Sequence, residues 1–265
     1  MIETGTFLGR LPYARLGADD NPILVINGGQ GFMMKTDRSR LAKDARRIAR
    51  ILPGKRSFVV IGYDPDPAGV TVGGLADDIG AVIDEHFGGR ADVLGISYGA
   101  VVAAHVAAHV PGRVRRLVLM AGAHAFSAEG RRRLSRQIEL AQRGELRQLL
   151  LEFASVFRRP WLNLLLRLRI GLGGRALVRR LGQRETIIRY LDAMLQDDIP
   201  AADLRNISAN TLIIGGSRDQ FFADTMRIAS QTIPTARLVQ FEGETHMVPV
   251  ERARDVRAEL ARFLS

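Results

Sequence analysis

The stretch that most constrains the fold is Ala91-Asp92-Val93-Leu94-Gly95-Ile96-Ser97-Tyr98-Gly99-Ala100. An apolar run ends in Gly-x-Ser-x-Gly and gives way to small residues, Ala100, Val101, Val102, Ala103 and Ala104. Read as strand, sharp turn and helix, this is the context of a nucleophile elbow. The turn holds the serine in a strained backbone conformation and exposes its hydroxyl. Gly95 and Gly99 stand where side chains would collide as strand and helix close up. The rival reading is a serine in an ordinary buried loop.

The chain around this stretch has 265 residues, enough for one domain with an insertion. It has no cysteine, which excludes disulfides and thiolate metal sites. Met1-Ile2-Glu3-Thr4-Gly5 lacks the basic head and apolar core of a signal peptide. No run approaches the roughly 18 apolar residues that span a bilayer, so the expected location is the cytoplasm. The net charge of +10 raises the question of a nucleic-acid partner. Between His124 and Tyr190, however, stand fifteen arginines, no lysine and five glutamates, so the excess sits in one segment. No base-stacking or zinc-knuckle pattern accompanies it, and an arginine-rich solvated face is the preferred reading.

Short apolar runs alternate with helical patterns along the first half of the chain. Phe7 to Gly17 suggests an opening hairpin, and Ile23–Ile26 is a strand buried on both faces. That strand runs into Asn27-Gly28-Gly29-Gln30-Gly31, a loop whose backbone N–H groups can face a ligand. Helices are expected from Asp37 to Leu52, with Asp37 as N-cap, and from Thr71 to Phe87. Strands are expected at Ser57–Ile61, Ala91–Ile96 and Arg116–Ala121, and Tyr98–Val110 is the helix behind the serine. This alternation argues for an α/β fold, a parallel sheet with helices on both faces.

The pattern then changes. From His124 to Asn206 helical stretches follow one another: Ala128–Arg143, Glu145–Phe157, Trp161–Ile170, Arg175–Leu181 and Glu185–Gln196. Asn210–Gly215 resumes the sheet, followed by a helix at Ala223–Gln231, a strand at Ala236–Phe241 and a closing helix at Val250–Leu264. The expected division is a core of residues 1–123 and 207–265, with a helical insertion at 124–206.

A serine hydroxyl needs a base to take its proton and a third group to orient that base. His246 follows the last strand and is the candidate base. His86, His105 and His109 fall within helices, while His124 opens the insertion and is a weak candidate for the substrate pocket. Asp219, in the loop after the resumed strand, is the candidate acid; its rival Asp224 reads as a cap of the next helix. Asp197, Asp198 and Asp203 read as surface charge, and Glu242 and Glu244 lie too close to His246 in sequence to buttress it. The backbone amides of Tyr98 and Gly29 are the candidate oxyanion donors. Losing one such donor typically costs about 3 kcal/mol of transition-state stabilisation.

With Gly95-Ile96-Ser97-Tyr98-Gly99, Asp219, His246 and the early glycine loop, the sequence resembles the α/β-hydrolase superfamily. The resemblance implies an α/β-hydrolase fold: a mostly parallel eight-stranded sheet, with the insertion as a helical cap over the active site. It also implies a serine hydrolase acting on a small-molecule carboxylic ester or related acyl compound through an acyl-enzyme, with no metal or organic cofactor. Thioesterase, lactonase, C–C bond hydrolase and cofactor-free perhydrolase activities use the same machinery, and a non-catalytic ligand receptor is a further alternative. Asn27 stands where many members have histidine, and Ser97 speaks against an alkyl-enzyme mechanism that needs aspartate there.

Trp161-Leu162-Asn163-Leu164-Leu165-Leu166-Arg167-Leu168-Arg169-Ile170 is unusually apolar for a lid and is flanked by arginines. It reads as a lid over a lipophilic pocket, with Trp161 in the pocket, as an attachment to anionic membrane surfaces, or as ordinary packing. The cationic insertion also suits acidic substrates, including those carrying phosphopantetheine or coenzyme A. Phe221 and Phe222, beside the candidate acid, are expected to add apolar wall. The oligomeric state is not legible.

Overall fold

A computed structural model of the chain describes residues 2–54, 56–153, 155–196 and 199–265. The opening hairpin pairs β1 (Ile2–Phe7) with β2 (Leu11–Leu16) and turns at Leu8 and Gly9, both at positive φ. β3 (Ile23–Ile26) leads into the short helix α1 (Gln30–Met33) and then α2 (Arg38–Ile48), where Asp37 accepts the Arg40 amide as N-cap. β4 (Phe58–Ile61) precedes α3 (Val72–His86), capped by Thr71 on the Gly74 amide. β5 (Ala91–Ile96), α4 (Tyr98–His109) and β6 (Val114–Met120) follow.

The stretch between β6 and the next strand is helical: α5 (Ala128–Gln142), α6 (Leu146–Phe153), α7 (Pro160–Val178), α8 (Arg184–Gln196) and a 3-10 turn at Ala201–Asn206. β7 (Asn210–Gly216), α9 (Ala223–Thr232), β8 (Ala236–Phe241), α10 (Val248–Glu251) and α11 (Ala253–Leu264) complete the chain.

The strands form one eight-stranded sheet in the order β1-β2-β4-β3-β5-β6-β7-β8. β2 runs antiparallel to β1 and β4, and the remaining pairs are parallel. Side chains alternate across the sheet with the period of two that a strand dictates. Leu24, Ile26, Val59, Ile61, Val93, Leu117 and Leu119 point to the face covered by α3 and α4. Ile23, Val25, Phe58, Val60, Leu94, Val118 and Met120 point to the face covered by α2 and α11. Both faces are therefore dry, which is why these strands read as continuous apolar runs.

Besides the short helix α1, which reads as loop in the sequence, and α2, which stops at Ile48 short of Leu52, three elements differ from the sequence expectation. Trp161–Ile170 and Arg175–Leu181 merge into the single helix α7, because glycine weakens a helix without having to break it. Gly174 instead makes a contact: a β-carbon there would lie 3.2 Å from the Arg147 side chain, and Arg147 also donates to the Gly171 carbonyl. The closing helix divides into α10 and α11 at Arg252, which leaves helical backbone (φ −122°) while its guanidinium binds Glu244. α6 ends at Phe153, short of the expected Phe157.

The crossing of α4 over the sheet has no spare room. A β-carbon on Gly99 would lie 2.3 Å from the Ile26 carbonyl oxygen, and one on Gly95 would lie 2.2 Å from the Gly99 carbonyl oxygen. Both obstacles are backbone. Gly99→Ala is therefore expected to cost about 3 kcal/mol or more in urea denaturation, at the upper end of overpacking penalties. Gly73→Ala in α3, whose methyl would meet nothing within 4 Å, is the matched control and is expected to gain roughly 0.5 kcal/mol. Equal behaviour of the two variants would refute the steric account.

Candidate active site

Ser97 sits between β5 and α4 with φ 54° and ψ −118°, a conformation that non-glycine residues avoid. Its amide donates to the Met120 carbonyl at 2.8 Å, and its carbonyl accepts from the Ala100 amide at 2.9 Å. The turn is thus held from the neighbouring strand and from its own helix. Ala121 also has positive φ, and Gly122 presses so close that a β-carbon would lie 2.6 Å from the Ser97 carbonyl.

The loops after β7 and β8 bring Asp219 and His246 to the same edge of the sheet. Ser97 Oγ lies 2.9 Å from His246 Nε2. On the other side of the ring, His246 Nδ1 lies 2.9 Å from Asp219 Oδ2 and 3.1 Å from Oδ1. Asp219 is buried, and its Oδ1 also accepts the amides of Phe221 and Phe222 at 2.8 and 3.1 Å. The imidazole is packed by the edge of Phe221 at 5.0 Å and by the stacked ring of Phe222 at 5.9 Å. Asp224 is not the N-cap of α9, a place taken by Phe222; it stands exposed in the first turn, paired with Arg227.

Tyr98 and Gly29 stand at two helix starts, α4 and α1, where first-turn amides have no acceptor within their own helix. The glycine loop lies against the serine: a β-carbon on Gly28 would come 3.3 Å from Ser97 Cβ. Asn27 braces this loop. Its Oδ1 accepts the Gly28 amide at 2.9 Å, its Nδ2 donates to Asp44 at 3.3 Å, and its carbonyl accepts the Tyr63 hydroxyl. Behind it, Phe32, Tyr63, Tyr98 and Tyr190 form an aromatic cluster with ring centroids 4.8 to 5.9 Å apart.

A cavity of about 150 Å³ opens onto Ser97 and His246. Its wall is mainly apolar: Phe32, Ile48, Ile51 and Phe221 come from elements packed on the sheet, and Leu134, Phe153, Val156, Leu191 and Met194 from the helical stretch between β6 and β7. Phe221 is on the wall, and Phe222 lies behind it, fully buried. Trp161 and His124 do not line the cavity. Trp161 is 53 % exposed on the outer face of α7, because that helix buries Ile170 and Gly174 instead.

Three polar side chains on the wall escaped the sequence reading: Gln30, Arg47 and Gln137. Arg47 donates to Gln30 Oε1 at 2.7 and 2.8 Å at one end of the cavity, and Gln137 is buried in α5. Nothing in the local pattern marks them: Gln30 reads as part of the glycine loop, and Arg47 and Gln137 occupy ordinary helical positions. The expectations for Asp197 and Asp198 lie outside the described residues. Among the described residues, no group of three or more histidines, aspartates and glutamates is arranged to hold a metal ion. Nor is any helix long and apolar enough to cross a membrane.

Comparison with known proteins agrees with this architecture. The profile of the alpha/beta hydrolase family matches residues 23–259, and the chain belongs to that family. It is 28 % identical over 262 residues to the dihydrolipoyllysine-residue acetyltransferase component of the acetoin cleaving system of Cupriavidus necator. The match covers 96 % of this chain and 66 % of that protein, so the chain spans just under two thirds of its relative's length. Among solved structures, an alpha/beta hydrolase enzyme from a Medee basin deep-sea metagenome library superposes with a TM-score of 0.77 at 20 % identity, covering 99 % of this chain and 97 % of the other. The enol-lactonase of Burkholderia xenovorans LB400 superposes with a TM-score of 0.72 at 18 % identity, covering 99 % of both chains. At these identities the likeness is one of fold.

His124 has a consequence for stability. It is buried, its Nδ1 has no hydrogen-bond partner among the described residues, and burial pushes its pKa down to about 4. Above the unfolded-state value of about 6.5 the ring is neutral in both states and the fold has its full stability. As pH falls below that value the unfolded chain takes up a proton that the folded chain refuses, until about pH 4. Between pH 7.5 and 5 the wild type is expected to lose about 2 kcal/mol more than His124→Asn, read by urea denaturation at each pH. Parallel pH curves would contradict it.

Proposed function

We propose that the protein is a serine hydrolase that cleaves a carboxylic ester or related acyl compound. The observation that carries this reading is the unbroken hydrogen-bond chain from Ser97 Oγ through the His246 ring to Asp219. In this mechanism His246 Nε2 takes the hydroxyl proton as Ser97 attacks the substrate carbonyl. Asp219 keeps the second ring nitrogen protonated and stabilises the imidazolium that forms. The amides of Gly29 and Tyr98 receive the developing oxyanion. His246 then returns the proton to the departing alcohol, and water, activated by the same ring, releases the acid from Ser97.

The cavity supports a short acyl or aromatic group on the acid side. Its volume of about 150 Å³ compares with cavities that take one benzene. The residues 124–206 serve as a cap in this reading, since α5, α6 and α8 supply much of the apolar wall.

A p-nitrophenyl ester series and a fluorophosphonate probe test the proposal. Short acyl esters are expected to turn over faster than palmitate, and the probe to label Ser97 stoichiometrically. Ser97→Ala and His246→Ala should each lower kcat by on the order of 10⁴-fold or more, and Asp219→Asn by a comparable factor, with the fold unchanged. Absence of both labelling and turnover in the wild type would overturn the reading.

A further inference from the structure

The insertion carries an apolar surface that the pocket does not use. Trp161, Leu164, Leu165, Leu168 and Leu172 of α7 are 53, 58, 53, 54 and 94 % exposed. At 100° per residue these five positions fall within an arc of about 100°. The opposite side of α7, with Ile170 and Gly174, is the one packed on the protein. The helix therefore turns its largest apolar side chains outward, as a continuous stripe along three turns. Exposed apolar patches of this kind mark interaction surfaces.

The charge around the stripe selects the partner. Residues 158–180 hold seven arginines (158, 159, 167, 169, 175, 179 and 180) and no aspartate or glutamate. Arg167 and Arg169 are exposed on either side of the stripe, and Arg175 is exposed at its C-terminal end. A second copy of the same helix would bring the same cations against them, with no acidic residue on the segment to offset the repulsion. An anionic lipid surface satisfies both features at once, since it takes up apolar side chains and attracts the flanking guanidinium groups.

We infer that α7 is a docking helix that lies in the interface of anionic lipid bilayers, with the Trp161–Leu172 stripe inserted and Arg167, Arg169 and Arg175 at the headgroups. α7 is anchored to the site by its N-terminal side. Arg158 pairs with the buried Glu244 at 3.2 Å, two residues before His246, and the Arg158 amide donates to Glu251 at 2.9 Å. The docked helix thus holds the loop that carries His246 close to the lipid surface. The inference stands independently of the proposed hydrolysis, because its evidence is the surface of α7 alone.

Trp161 is the only tryptophan in the chain, so its emission reports on the stripe directly. The full chain is titrated with phosphatidylcholine vesicles doped with phosphatidylglycerol, and with pure phosphatidylcholine vesicles. A blue shift and co-flotation are expected with the anionic vesicles at low salt, weakening as salt rises and much smaller without phosphatidylglycerol. Arg167→Gln with Arg169→Gln and Arg175→Gln should weaken partitioning roughly fivefold for each charge removed. Leu164→Ser with Leu168→Ser should abolish the blue shift, with both variants melting at the wild-type temperature. No blue shift or flotation of the wild type at low salt overturns the inference, as does vesicle binding that neither variant weakens. A blue shift that grows with protein concentration alone, alongside a dimer that the leucine variant dissociates, would assign the stripe to a second copy and overturn it equally.

Discussion

Everything at the site depends on how closely α4 approaches the sheet. Where Gly99 crosses Ile26 and Asn27, backbone meets backbone with no side chain between. That approach puts Ser97 at the tip of β5 and brings the start of α4 beside the loop after β3. It also explains the composition of the helix. Ala100, Val101, Val102, Ala103, Ala104, Val106, Ala107 and Ala108 are all buried, because a helix lying this low accommodates only small side chains. The strained φ of Ser97 persists because the turn is over-determined by its neighbours.

The rest of the site is a set of braces that keep mobile groups from wandering. The loops after β7 and β8 are stitched together: the Arg218 amide donates to the Glu244 carbonyl at 2.9 Å, and the Gly243 amide to Ser217 Oγ at 2.8 Å. The two backbone amides that donate to Asp219 hold its carboxylate in place beside the imidazole. Glu244 extends the bracing into the insertion. Its buried carboxylate is paired with Arg158 at 3.2 Å and with Arg252 at 2.8 Å, and removing one partner of a buried charge is costly because the charge remains. Thr245 adds a hydrogen bond to the Val156 carbonyl at 2.7 Å, so the two residues that precede His246 both hold the helical segment between β6 and β7.

Much of this was legible in the chain because it is written in local patterns. The buried strands announced themselves as apolar runs, and Asp37 and Thr71 as caps, since each depends on a few adjacent residues. Ser97, Asp219 and His246 were legible for the same reason: each follows a strand end, and parallel strands deliver such ends to one edge of the sheet. What escaped depends on contacts distant in sequence. Gln137 reaches the cavity wall only because α5 folds over the sheet. Glu244 is too near His246 in sequence to support it directly, and its contact comes through Arg158, in the middle of the helical segment. The break at Arg252 coincides with its hydrogen bond to Glu244, a distant contact that no helical periodicity records.

Helix α7 shows how periodicity misleads when both faces of a helix are apolar. Leu162, Leu166, Ile170 and Leu177 could have packed outward or inward as well as the Trp161–Leu172 set, and the sequence offers no arbiter between the two stripes. The structure settles it through the small residues. Gly174 lies on the same side as Ile170, and its missing side chain leaves room there for Arg147. Once the glycine face is committed to the protein, the leucine-rich face has to point away from it. The apolar wall of the cavity then comes from α5, α6 and α8, and the exposed apolar surface from α7, so one insertion divides two tasks between separate helices. Seven of the fifteen arginines between His124 and Tyr190 lie at 158–180, where no acidic residue offsets them, while the chain outside 124–190 is close to electrical balance.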